Sequence, residues 1–158
     1  MNKLVSLLLA GLFVCGSGVA RDVTSFNTGW QFKKGPFSAD AMKAASQWEG
    51  KWETVDIPHT WNARDMQVRY NTFYEGVGYY KKNFFCPGEL KDKRVFLRFE
   101  GVGACSEVYV NGRLAGTHKG GYSAFVVEIG PSLKPGSDNE IVVKADNQSR
   151  PDVIPEMC

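Results

Sequence analysis

The 158-residue chain has little material for metal or redox chemistry. It holds two histidines, His59 and His118, four cysteines, and no CxxC or HExxH spacing, which leaves almost nothing for a zinc site. Lysine and arginine number 19 against 17 acidic residues, and so even a balance argues against a nucleic-acid binder or a polybasic membrane anchor. Internal repeats, charge blocks and low-complexity stretches are missing. The longest apolar run, Leu4 to Val14 interrupted only by Ser6 and Gly11, falls well short of the roughly 20 residues a membrane-spanning helix takes. The chain is also too short for a (β/α)8 barrel, which needs roughly 250 residues. Helical periodicity is scarce, its best window being Ala39 to Ala45 behind Ser38, a plausible N-cap.

What is present points to a folded, exported domain. Hydrophobic residues make up 43% of the chain and charged residues 23%, enough to build a core. Lys3, the short apolar stretch and the small residues after it have the order of a secretory signal. Gly18 and Ala20 place small side chains at −3 and −1, so cleavage is expected between Ala20 and Arg21, with residues 21–158 forming one mature domain. Periplasmic or extracellular localisation follows. Acylation at Cys15 is the rival reading, and bulky Phe13 and Val14 oppose it. Removal of the signal leaves Cys86, Cys105 and Cys158, an odd number that closes no disulfide framework. A Cys86–Cys105 bridge is conceivable after export, but both flank apolar strands, where free cysteine is a common small hydrophobe.

The mature region reads as strands. Thr28 to Lys34 sets Trp30 and Phe32 on one face, and Trp52 to Ile57 alternates until Pro58 stops it. Tyr79 to Cys86 is a long aromatic strand closed by Pro87-Gly88. Val95, Leu97 and Phe99 alternate with Phe96, Arg98 and Glu100, as a half-buried strand does. Val108 and Val110 run into Asn111-Gly112 and then Arg113 to Thr117, a strong hairpin signal, because a type I′ turn needs positive φ at both central residues. Ala124 to Ile129 follows, and after a turn region from Pro131 to Asp138 the last strand, Glu140 to Ala145, divides Ile141 and Val143 from Val142 and Lys144. Short strands and turns at this spacing imply an all-β sandwich.

The segments in order resemble the N-terminal sugar-binding domain of glycoside hydrolase family 2, the β-galactosidase, β-glucuronidase and β-mannosidase group. The resemblance rests on Phe26 to Phe32, Val55 to Asn62, Gly78 to Lys82, Leu97 to Val102, Val108 to Gly112, Gly116 to Phe125 and Asn139 to Asn147. It implies a jelly-roll β-sandwich, galactose-binding-domain-like. In longer members an immunoglobulin-like domain and a catalytic barrel follow, and the barrel carries both catalytic glutamates. It also implies a terminal strand beyond the Pro151-Asp152-Val153-Ile154-Pro155 region, whereas this sequence ends at Glu156-Met157-Cys158, so an open sheet edge is expected.

The resemblance implies carbohydrate, a β-linked glycoside, and the downstream domains as partners, with no cofactor, metal, nucleic acid or membrane span. Retaining glycosidases need two carboxylates about 5–5.5 Å apart. Glu140 follows an asparagine, as the acid/base glutamate of this clan does, but it opens a strand and reads as a solvent-facing strand residue with no second carboxylate to match it. No hydrolysis by this chain alone is expected. His59 reads as a hydrogen-bonded loop histidine. Gly120 and Gly121 after His118 suit a tight strand crossing. Asn147-Gln148-Ser149 is a glycosylation sequon.

The stretch from Asn62 to Tyr79 is long, polar and studded with aromatics, and long loops in compact domains are often functional. In the family this loop reaches toward the active site. Asp65, Tyr74, Glu75 and Tyr79 are therefore the candidate substrate-binding residues, against the reading that they only pack on other domains. Two alternatives of another class are an autonomous carbohydrate-binding module and a non-functional fragment.

Overall fold

The computed structural model describes residues 21–35, 50–63, 74–149 and 153. The signal segment, the expected helix at Ala39 to Ala45 and Asp65 lie outside these residues. Eight strands follow in chain order: β1 (Trp30–Lys34), β2 (Glu53–Val55), β3 (Val77–Cys86), β4 (Phe96–Phe99), β5 (Cys105–Val110), β6 (Arg113–Lys119), β7 (Phe125–Glu128) and β8 (Ser137–Asp146). Two short 3-10 turns, Gly88–Leu90 and Gly130–Ser132, are the only helical elements among the described residues.

The strands build an antiparallel sandwich of unequal layers. A six-stranded sheet in the order β2-β1-β3-β8-β5-β6 faces a two-stranded sheet, β4-β7. Strand alternation decides which side chains meet between them. Trp30, Phe32, Val108, Val110, Ile141 and Val143 are buried on the inner face of the large sheet, together with Val127 and Ile129 from the small layer. Leu97 and Phe99 of β4 pack against that cluster. The outer face carries a second, smaller core of Tyr79 and Val142, joined by Trp52, Val77 and Tyr109. Ile141 and Val142 are thus both buried, in different cores, as the alternation in β8 requires.

Each strand read from the sequence forms, with shifted ends. β2 is cut to three residues, and β8 begins at Ser137, inside the expected turn region, because it pairs along all ten residues with β3. The β5–β6 hairpin turns at Asn111 and Gly112 with φ of 51° and 75°, the left-handed pair that a type I′ turn demands. β8 also settles the thiols. Cys86 pairs with Ser137 at one end of β8 and Cys105 with Asp146 at the other. Ten residues of strand hold these ends about 30 Å apart, far beyond disulfide reach. Both cysteines are free, Cys86 buried and Cys105 half-buried.

Candidate functional site

A cavity of about 300 Å³ opens at one end of the sandwich. Rings from Trp30, Trp61, Tyr80 and Phe99 form much of its wall, and His59, Asn62 and Asn147 supply polar groups. The segment after β2 brings His59 and Trp61 onto the inner face. There Phe32 stacks on Trp61, centroids 5.7 Å apart at 9°, and meets Tyr80 at 4.8 Å. This packing needs a glycine at position 78: a Cβ there would lie 2.6 Å from Trp61 Cζ3 and 2.9 Å from Phe32 Cε2.

The His59 Nδ1 and the Tyr80 hydroxyl share a hydrogen bond of 3.0 Å. Burial lowers the His59 pKa below 6.5, the Glu53 carboxylate pulls against it and Lys34 reinforces it. Burial also raises the Tyr80 phenol well above its ordinary value. Both groups are therefore held neutral at neutral pH. The pair can accept and donate hydrogen bonds but carries no charge.

One carbonyl gathers the ends of the Asn62 to Tyr74 stretch. The Tyr74 carbonyl accepts from Asn147 Nδ2 at 3.0 Å and from Trp61 Nε1 and Asn62 Nδ2 at 3.4 Å each. Asn147 completes the clamp: its Oδ1 accepts from the Gly76 N–H at 2.7 Å, and its own N–H donates to the Gly76 carbonyl at 3.1 Å. Both polar atoms of the Asn147 amide are thereby used, and the side chain is buried. The sequon asparagine is a structural clamp in the folded domain, out of reach of a glycosyl transferase. Asn62 Oδ1, by contrast, is buried and accepts no hydrogen bond among the described residues, an acceptor suited to a hydroxyl donor.

The sequence-derived candidates separate in space. Tyr74 reaches the site through its carbonyl, while its hydroxyl donates to the Val77 carbonyl at 3.2 Å and Lys34 sits 5.0 Å from its ring centre. Glu75 is exposed. Tyr79, 1% exposed, belongs to the outer core; no ring face is open to a sugar, so its place is in packing. His59 is the hydrogen-bonded loop histidine the sequence indicated, its partner being Tyr80; Tyr80, Asn62 and Asn147, the last two joined through the Tyr74 carbonyl, were not among the candidate substrate-binding residues. The signal was present, since all four stand inside the segments that carry the resemblance, but nothing in the chain order says that they meet.

Among the described residues no carboxylate lines the cavity, whereas a retaining hydrolytic centre uses two. Glu140 is half-buried rather than solvent-facing, opposite Asn83 in the β3–β8 ladder. Burial raises its pKa and Lys81 opposes the rise. His118 stacks on Phe125 with centroids 4.1 Å apart and shares a 3.0 Å hydrogen bond with Ser123 Oγ. Gly120 beside it has φ of 119°, in keeping with the tight crossing expected there. Among the described residues no group of three or more potential ligands could hold a metal ion, and no helix is long and apolar enough to cross a membrane.

The architecture is an all-β sandwich with an aromatic-walled cavity on its inner face, the class of β-sandwich domains. Residues 23–156 match the family described as glycosyl hydrolases family 2, sugar binding domain, and the chain belongs to that family. A β-glucuronidase from Bacteroides fragilis is 36% identical over 152 residues, covering 96% of this chain and 20% of that protein. A solved structure from Bacteroides fragilis, described as a putative β-galactosidase, is 74% identical with a TM-score of 0.77, over 87% of this chain and 20% of its own. Bacteroides uniformis β-glucuronidase superposes with a TM-score of 0.75 at 31% identity, over 85% of this chain and 16% of its own. The chain spans about a fifth of the length of such relatives.

Proposed function

We propose that these 158 residues serve as the non-catalytic sugar-binding part of an exported family 2 glycosidase whose complete form cleaves terminal β-linked sugars with retention. The catalytic carboxylates belong to the remainder of such an enzyme, and residues 1–20 direct export. The observation that carries the reading is the clamp on the Tyr74 carbonyl. It fastens both ends of the polar, aromatic stretch from Asn62 to Tyr74 to β8 through Asn147. The clamp leaves Glu75, exposed beside the fastened Tyr74, free to face a sugar or the rest of the enzyme.

The test uses the purified chain. Aryl β-galactosides and β-glucuronides should release no chromophore above a mock preparation; turnover that co-purifies with the chain overturns the non-catalytic reading. Calorimetry against β-linked oligosaccharides should show weak binding that Glu75→Ala reduces by about tenfold, or 1.4 kcal/mol. Unchanged affinity in Glu75→Ala removes the loop from sugar recognition.

A further inference from the structure

Eight asparagines stand in the chain, and only Asn111 precedes a glycine. That dipeptide is open to deamidation, because a glycine N–H has no side chain of its own to hinder its attack. The reaction needs only water. The Gly112 nitrogen, after losing its proton to hydroxide, bonds to Asn111 Cγ. The Cγ–Nδ2 bond breaks, and ammonia leaves with a proton taken from water. A second water then opens the cyclic imide. Cleavage at Cγ gives aspartate, and cleavage at the backbone carbonyl gives isoaspartate.

In the folded domain the Asn111 carboxamide is bound at both ends. Its Nδ2 donates to the Ser132 carbonyl at 2.7 Å and to Asn139 Oδ1 at 2.8 Å. Its Oδ1 accepts from the Glu140 N–H at 3.1 Å, while its own backbone N–H donates to the Glu140 carbonyl at 2.9 Å. Two acceptor oxygens on one side and an N–H on the other fix which atom is nitrogen. For Cγ to reach the Gly112 nitrogen the side chain must leave these partners, which opens the seam between the β5–β6 hairpin and β8.

The seat accepts no carboxylate in place of the amide. Asn139 is 3% exposed and is itself saturated. Its Oδ1 also accepts from the Lys134 N–H at 2.8 Å, and its Nδ2 donates to the carbonyls of Lys134 at 3.0 Å and Ser137 at 2.8 Å. An aspartate at 111 keeps the bond from Glu140 but sets a charged oxygen against the Ser132 carbonyl and Asn139 Oδ1. Turning the Asn139 amide over only moves the conflict, since its oxygen would then face two carbonyls and its NH2 the Lys134 N–H. An isoaspartate lengthens the main chain by one atom, inside a two-residue turn whose φ values of 51° and 75° leave no slack.

We propose that Asn111 is a latent modification site: the fold shields it from deamidation, and the aspartate or isoaspartate formed during an opening no longer fits the seat it left. Each long opening therefore returns a chain with a weaker fold. The proposal goes beyond the sugar-binding reading and does not depend on it.

The test ages the purified chain, with reductant, in mildly alkaline buffer with and without guanidinium chloride. Peptide mapping by mass spectrometry reads residue 111. Deamidation there should lead that of the other asparagines in denaturant, and should run at least about tenfold slower in the folded protein, where it waits for local opening. The deamidated fraction, separated by ion exchange and refolded, should have a lower urea midpoint than the unmodified fraction. Asn111→Gly, which tolerates the positive φ and has no amide to lose, should keep its own midpoint through the same ageing. Asn111→Asp, one of the products, should have a lower midpoint than wild type. Equal deamidation rates in folded and denatured protein, a midpoint loss shared by aged Asn111→Gly, or an Asn111→Asp as stable as wild type overturns the proposal. If either variant fails to fold, the two rates and the separated wild-type fractions decide the question alone.

Discussion

The His59 Nδ1 and the Tyr80 hydroxyl lie 3.0 Å apart, joining the segment after β2 to the middle of β3 at the cavity wall. Burial holds the imidazole neutral, with a pKa below 6.5. The unfolded chain has no such restraint, so below 6.5 it binds more protons than the folded one. The stability tied to neutral His59 is complete above 6.5 and is lost as pH falls toward the folded value. Thermal melts should show the midpoint dropping on acidification through that window, and His59→Gln should flatten that part of the profile. Tyr80→Phe, at neutral pH, should cost about 1 kcal/mol in denaturant titration, the net worth of one hydrogen bond.

Gly78 sits under the stacked rings of Phe32 and Trp61. Gly78→Ala forces a methyl to within 2.6 Å of the indole, and neither ring can leave without opening the core. The expected loss is about 2 kcal/mol, as for other overpacked interiors. It is read as a lower urea midpoint with an unchanged slope.

Asn147→Ala removes the clamp and leaves the Gly76 N–H buried with no acceptor. A stranded buried donor costs about 1–3 kcal/mol. Hydrogen exchange should lose protection at Gly76 and at the Trp61 indole, while the amides of Ile141 and Val143 keep theirs.

Glu107 on β5 accepts from Lys144 Nζ at 2.7 Å and from the Tyr109 hydroxyl. Burial pushes its pKa up, but the hydrogen bonds from Lys144 and Tyr109 and the lysine's charge outweigh this and hold it below 4.5. The stability this carries is present above 4.5 and disappears as pH falls through the lower folded value. Glu107→Gln should therefore be less stable than wild type at neutral pH, and the difference should shrink in acid melts below 4.5.

Strand positions were legible because each strand advertises its own buried face. Ile141, Val142 and Val143 show alternation plainly, and Asn111-Gly112 names its turn type by residue chemistry alone. The ends of β2 and β8 were not legible, since partner strands set them: β8 extends to Ser137 because Cys86 is there to pair with it. Tyr79 shows the same limit at the site. In sequence it resembles any loop-proximal tyrosine beside Tyr80, but a one-residue step in a strand reverses the face, so Tyr80 meets the cavity and Tyr79 the outer core.

The amino-acid order by itself determined the all-β class, the family and the hairpin, because these depend on local alternation, on turn residues with positive φ and on ordered segments that need no contact map. Only the tertiary structure decided that Asn147, Gly76, Tyr74 and Asn62 form one clamp, and that Cys86 and Cys105 stay thiols. Those relations join residues up to 73 positions apart. Long-range pairing of β3 with β8 brings them together or keeps them apart, and no local pattern encodes that distance.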